Sequence, residues 1–97
     1  MTKHTPKALG EIIGTFLREN GLEQALLEKH VVEVWTDVVG APLARYTSNP
    51  QMRDGTFFVH VSSAPLRQEF FQGRKELMRR LNDAVGATVV KDIRFLA

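Results

Sequence analysis

His30 and Glu33 stand three residues apart, a spacing that brings an imidazole and a carboxylate within one helical turn and would allow acid–base exchange. A surface ion pair uses the same spacing and asks nothing further of the chain. The other two histidines, His4 and His60, lie far from this pair. No two of the three have the spacing of a helical metal site, and there is no cysteine to complete a thiolate set. A phosphate-cradling glycine loop, a Gly-x-Ser-x-Gly elbow and a His-Glu-x-x-His run are all missing. The residue types therefore predict no metal, no cofactor and no enzymatic activity.

Contact with phosphate is the other chemistry on offer. The formal net charge is +2, unevenly placed. Residues 1–44 carry Lys3, Lys7, Arg18 and Lys29 against six carboxylates, a balance of −2; residues 45–97 carry nine cations against five carboxylates, a balance of +4. Such polarity steers a polyanion to one side of a molecule. Arg67, Arg74, Lys75, Arg79 and Arg80 share one helical stretch. By helical phase Arg67 and Arg74 flank its apolar face, whereas Lys75 and Arg79 stack one turn apart towards solvent. Glu76 and Arg80 have the favourable i, i+4 order for a pair, and Arg79 reaches Asp83 in the same way. With Arg45, Arg53, Lys91 and Arg94 on strands, these cations form either a diffuse phosphate-contacting surface or a solvated charged face. Lys75 and Arg79 lead the candidates for nucleic-acid contact, followed by Arg53 and Arg94, then Arg67 and Arg74. No arginine–aromatic array marks base reading, so binding through this face would ignore sequence.

Residues 31–61 organise the elements that must position these groups. Thr5 and Pro6 start a first helix as N-cap and first-turn proline. Leu9, Ile12, Ile13, Phe16 and Leu17 give it one apolar stripe, and Asn20-Gly21 ends it. A second helix over 22–39 turns Leu27, Val31, Val34, Trp35 and Val38 to one side. Trp35, the only tryptophan, fills the gap between helix and sheet. Gly40 stops this helix, and Pro42 opens one further turn through Leu43 and Ala44. A strand over 46–53 contains Pro50, which makes it an edge or puts a bulge in it. Asp54-Gly55 is a two-residue hairpin turn requiring positive φ at both positions. In the next strand, 56–61, Phe57, Val59 and Val61 face the helices, with Phe58 and His60 outward. Phe58 is thus either a contact surface or a lone exposed aromatic.

Ser62-Ser63 caps the third helix, with Pro65 in its first turn. Leu66, Phe70, Leu77, Leu81 and Val85 repeat every four or seven residues, flanked by Phe71 and Met78. The rhythm crosses Gly73 and predicts one long helix; a break there is the alternative, because an interior glycine costs about 1 kcal/mol. Gly86 ends the helix, and the last strand covers 89–95. The order α-α-β-β-α-β describes one small α+β domain over residues 1–97, with residues 1–5 flexible and helices on one face of a three-stranded sheet. Its expected core is Trp35, Phe16, Phe57, Val59, Phe70, Leu77 and Leu81.

Forty-three per cent hydrophobic and 25% charged residues suit a soluble globular domain rather than a disordered or membrane-spanning one. No apolar run reaches about 18 residues, and Met1 to Lys7 lacks the apolar stretch of a signal peptide. Cytoplasmic residence is expected. No feature of the sequence sets an oligomeric state.

Val34-Trp35-Thr36-Asp37-Val38-Val39-Gly40, Ala44-Arg45-Tyr46-Thr47, Asp54-Gly55-Thr56-Phe57-Phe58-Val59-His60-Val61, Ser62-Ser63 with Glu69-Phe70, Leu81-Asn82 and Ile93-Arg94-Phe95, taken in order, resemble the DciA family. The similarity covers about Leu9 to Phe95. It implies a domain similar to a K-homology fold and a role in operating or loading the bacterial replicative helicase, hence two partners, the helicase and DNA bound without sequence preference. Two departures stand out. Leu66 occupies a position near the start of the third helix that is aromatic in many members. The chain also stops at Ala97 without the flexible tail of many members, which would alter helicase contacts that a tail supplies. The Gly-x-x-Gly loop of K-homology domains is missing, so clamping by that loop is not implied. The competing functions are a K-homology-like RNA-binding factor, as in ribosome assembly, and a pure protein-interaction module.

Overall fold

The computed structural model describes residues 21–97, and the predicted helix over 5–20, with Phe16, lies outside them. The elements are α1 (Leu22–Val39), α2 (Ala41–Ala44), β1 (Thr47–Arg53), β2 (Thr56–Val61), α3 (Ala64–Gln72), α4 (Arg74–Val85) and β3 (Asp92–Leu96). The fold is α+β, and among the described residues the element order is the expected one. The strands form one sheet in the order β1-β2-β3. β1 and β2 make an antiparallel hairpin, while β2 and β3 are parallel and linked by the α3–α4 crossover.

Alternation in β2 sets the layers. Phe57, Val59 and Val61 are fully buried against the helices, together with Ile93 of β3. Val31, Trp35 and Val38, spaced by four and three, bring one face of α1 into the same cluster; Phe70, Leu77 and Leu81 enter it from α3 and α4. Trp35 is 1% exposed. Its ring lies 5.0 Å from Phe57 and 5.8 Å, edge-on, from Phe70, and Phe70 in turn lies 5.5 Å from Phe95. The indole N–H donates to Thr47 Oγ1 at 3.1 Å, and that hydroxyl donates to the Ala44 carbonyl at 2.8 Å. The buried ring thus keeps its one polar atom satisfied where α2 turns into the sheet.

Four local outcomes differ from the sequence expectation. The third helix is two helices, because Gly73, at φ −96° and ψ 17°, leaves helical geometry for one residue. Hydrogen bonds continue on both sides, Gly73 N to Glu69 O and Leu77 N to Gly73 O, so the break is a single residue rather than a loop. The Arg74 guanidinium donates to the Phe71 carbonyl at 2.9 Å, which serves an acceptor at the break. Phe71, expected to flank the apolar stripe, is 51% exposed. Strand β1 starts at Thr47 rather than Tyr46, whose N–H is taken by Leu43 O in the preceding turn. Strand β3 starts at Asp92 rather than Val89. Asn82 Oδ1 accepts from the Val89 and Val90 N–H groups, and Asn82 Nδ2 donates to the Val90 carbonyl, holding both buried valines in an irregular approach.

Strand β1 is both an edge and bulged: its register slips between Ser48 and Gln51, where Asn49 has φ 52° and Pro50 follows. Asp54 and Gly55 have φ 52° and 83°, the positive pair that a type I′ hairpin turn needs.

Candidate nucleic-acid interface

Strand register decides where the strand cations go. Phe58 sits opposite Gln51 on one side and Arg94 on the other, and Arg53 opposite Thr56. Since Phe57 and Ile93 point into the core, Arg53, Phe58 and Arg94 share the sheet face turned away from the helices. A groove of about 670 Å3 runs from this face around β3 to α3. Phe58, Arg94 and Leu96 contribute from the sheet, and Arg67, Gln68 and Phe71 from α3. A smaller depression of about 220 Å3 shares Phe58 and Leu96 with it and extends to Arg53 and His60.

The groove is cationic by composition: among the described residues, Arg67 and Arg94 line it and no carboxylate does. Arg94 is ion-paired with Asp92, donating through Nε to Oδ2 at 3.1 Å, so a carboxylate outside the lining offsets part of its charge while its terminal nitrogens stay open to an anion. The Arg74 guanidinium lies 4.2 Å over the Phe71 ring, which places a third cation beside the exposed aromatic. Four candidate residues, Arg53, Arg67, Arg74 and Arg94, therefore gather around Phe58 and Phe71.

The two leading candidates are elsewhere, on the exposed side of α4. Lys75 is exposed. Arg79 donates from Nε and Nη2 to Glu76 and from Nη1 to Asp83 at 2.7 Å, so two carboxylates match its charge. Its hydrogen bond to Glu76 holds the Glu76 carboxyl below the usual carboxylate range and raises the pKa of Arg79 itself. The expected Glu76–Arg80 pair is not formed. Glu76 takes the i, i+3 partner, and Arg80 donates instead to the Val38 carbonyl at the end of α1.

Among the described residues the histidines lie on separate elements, His30 on α1 and His60 on β2. His30 and Glu33 are both exposed, and no ion pair joins them. His60 lies on the outer sheet face with Nδ1 3.1 Å from the Ala97 carbonyl oxygen, and His4 is outside the described residues. Among the described residues no three His, Asp or Glu side chains gather as a metal would require, and no helix is long and apolar enough to cross a membrane.

Gln68 and Phe71 are groove residues that sequence reasoning passed over. The signal for Phe71 was its place beside Phe70: two adjacent aromatics on a helix cannot both face one core, since neighbours are turned by about 100°.

Among known proteins, the family model described as Dna(C/I) antecedent, DciA, matches residues 8–95. No curated protein matches the chain.

Proposed function

This chain belongs to the DciA family, and from that premise we propose that it is a non-enzymatic, cytoplasmic accessory protein that recruits, loads or regulates the bacterial replicative helicase while holding DNA by its phosphates. Family membership supports the helicase-loader-type role. The DNA half rests on one observation: the groove beside β3 brings Arg67 and Arg94 together with Phe58 and Phe71 and has no carboxylate in its lining among the described residues. Cations that track a backbone, interleaved with aromatic faces on which any base can stack, suit a single strand and carry no sequence code. Arg53 extends the same surface across the sheet, and Arg74 adds charge at Phe71. Lys75 and Arg79 form a second, weaker phosphate site on α4, because Arg79 is already matched by Glu76 and Asp83.

The test is a titration of a short single-stranded DNA at a series of salt concentrations. Wild type is compared with an Arg67→Ala, Arg94→Ala double variant and a Lys75→Ala, Arg79→Ala double variant. For every phosphate that a variant no longer neutralises, the log–log salt slope flattens by about 0.7. The groove variant is expected to lose more slope than the α4 variant. Equal slopes for wild type and groove variant would move DNA off this groove. No binding of wild type at low salt would replace the DNA reading with that of a protein-interaction module. Tighter binding of an RNA of the same sequence would favour the RNA-binding alternative.

A further inference from the structure

The groove beside β3 runs along an open sheet edge. With the strand order β1-β2-β3, β3 has a neighbouring strand on one side only among the described residues. Asp92 gives its N–H to the Gly55 carbonyl, on the β2 side. Backbone groups of successive residues in a strand point to alternate edges, so Arg94 and Leu96 also turn theirs to β2, while Ile93 and Phe95 turn theirs outward. The Ile93 N–H is taken by Asp92 Oδ1 at 2.9 Å, which plugs the start of the edge. The Ile93 carbonyl and the N–H and carbonyl of Phe95 are left without a strand partner among the described residues. Both residues line the groove.

The facing wall is one stripe of α3: Ala64, Arg67, Gln68 and Phe71 recur at i, i+3, i+4 and i+7. An open strand edge with a helix alongside is the geometry that receives an extended segment as an added strand. Arg67 has no ion-pair partner among the described residues, and Arg94 keeps its terminal nitrogens open although Asp92 offsets part of its charge. These two arginines call for carboxylates on the incoming segment, while Phe71 and Phe95 call for apolar side chains. A strand in which acidic and apolar residues alternate offers both. The opposite side of α3 makes no such selection. There Phe70 and Leu77 floor a second groove of about 440 Å3, whose lining mixes Glu69, Glu76 and Arg80 and comes from helices that have no free ladder to offer.

We propose that the β3 edge takes an extended acidic segment of another protein as a fourth strand, paired through the backbone of Phe95 and held by Arg67 and Arg94. The groove is the one proposed to hold DNA, so the segment and a DNA strand exclude each other, and a partner carrying such a segment releases DNA. That exclusion rests on the DNA reading; the strand addition does not.

The probe is a short fluorescein-labelled peptide of alternating aspartate and valine, titrated with the full chain at low salt and followed by anisotropy. It is compared with one form N-methylated at the aspartates and another N-methylated at the valines, because in an added strand only one of these sets turns its N–H groups to β3. One modified peptide is expected to bind about tenfold or more weakly and the other nearly as the parent does. Hydrogen exchange of the Phe95 amide is expected to slow in the complex, since that N–H gains a partner. The Arg67→Ala, Arg94→Ala double variant is expected to bind the parent peptide more weakly. No binding of the parent peptide, equal binding of the two modified forms, or an unchanged Phe95 amide would overturn the strand addition and leave the DNA reading as it stands. Slower exchange at Phe95 that follows protein concentration without peptide would overturn it in favour of a second copy of the chain. If the peptide binds as expected and a short single-stranded DNA does not displace it, the strand addition holds and DNA leaves this groove.

Discussion

The two sides of α3 differ in polarity although they share one helix and one aromatic floor. Arg67 and Glu69 are two residues apart and line opposite grooves. Among the described residues, on one side the helix faces the sheet's outer strand β3 and two arginines with no carboxylate; on the other it faces helices, with Glu69, Glu76 and Arg80 in the lining. The linear charge imbalance between residues 1–44 and 45–97 does not produce this contrast, since both grooves are built mainly from the second stretch. Helical phase produces it. The strand edges tell a parallel story. Edge β1 is blunted by a bulge and Pro50, a usual defence against unwanted pairing, whereas β3 has neither and forms one wall of the cationic groove.

Removing what the grooves have in common should abolish both. Phe70 floors the helical groove, stacks near Phe95 beneath the cationic one, and packs edge-on against Trp35. Trp35→Ala is expected to cost roughly 3–5 kcal/mol, most of what a small domain has. Thermal unfolding followed by near-ultraviolet circular dichroism would show it. A midpoint lowered by only a degree or two would mean that the grooves do not depend on this ring.

A smaller change should separate them. Gly55 has φ 83°, and its carbonyl accepts from Lys91 N at 2.7 Å and Asp92 N at 3.3 Å, which ties the hairpin to the start of β3. Gly55→Val forces a β-branched residue into the left-handed region, at about 1–2 kcal/mol, and sets its Cβ 3.4 Å from the Lys91 side chain. Faster amide exchange at Lys91 and Asp92 is expected, with DNA binding weakened and the helical groove spared. Equal protection loss in α3 and β3 would show the two sides to be one cooperative unit.

Much of this fold is legible in the residues because local signals agree with one another. Alternation in 56–61, the Asp54-Gly55 turn and the four-residue rhythm through Leu77 and Leu81 each specify one element, and the core follows. The cationic groove was harder to read. Its members come from β2, α3 and β3, and only the β2–β3 register puts Arg94 beside Phe58. The break at Gly73 was hidden because apolar spacing and the i to i−4 hydrogen bonds both continue across it. Asn82 looks like an ordinary polar residue near a helix end, yet its side chain shapes the whole approach to β3. Long-range pairing of this kind carries no periodic signal.

The smallest expected effect concerns Arg79, the cation that the sequence ranked high and the structure shows matched by Glu76 and Asp83. Glu76→Gln removes its closest counter-charge. At pH 7 the variant should free part of the Arg79 charge for phosphate and steepen the DNA salt slope by at most about 0.7. In wild type the Glu76 carboxyl is held below its ordinary value by Arg79, so the pair's contribution to stability is fully present above about pH 4.5 and fades as pH falls through the lower, folded-state value. Both side chains are exposed, so water and salt screen the interaction and the stability difference should be slight. Urea melts of wild type and Glu76→Gln would differ a little at pH 7 and converge as the solution is acidified past the carboxylate range. A slope unchanged by Glu76→Gln would leave Arg79 on the solvent face with no part in DNA binding, and the contrast between the two sides of α3 would then account for the phosphate chemistry without α4.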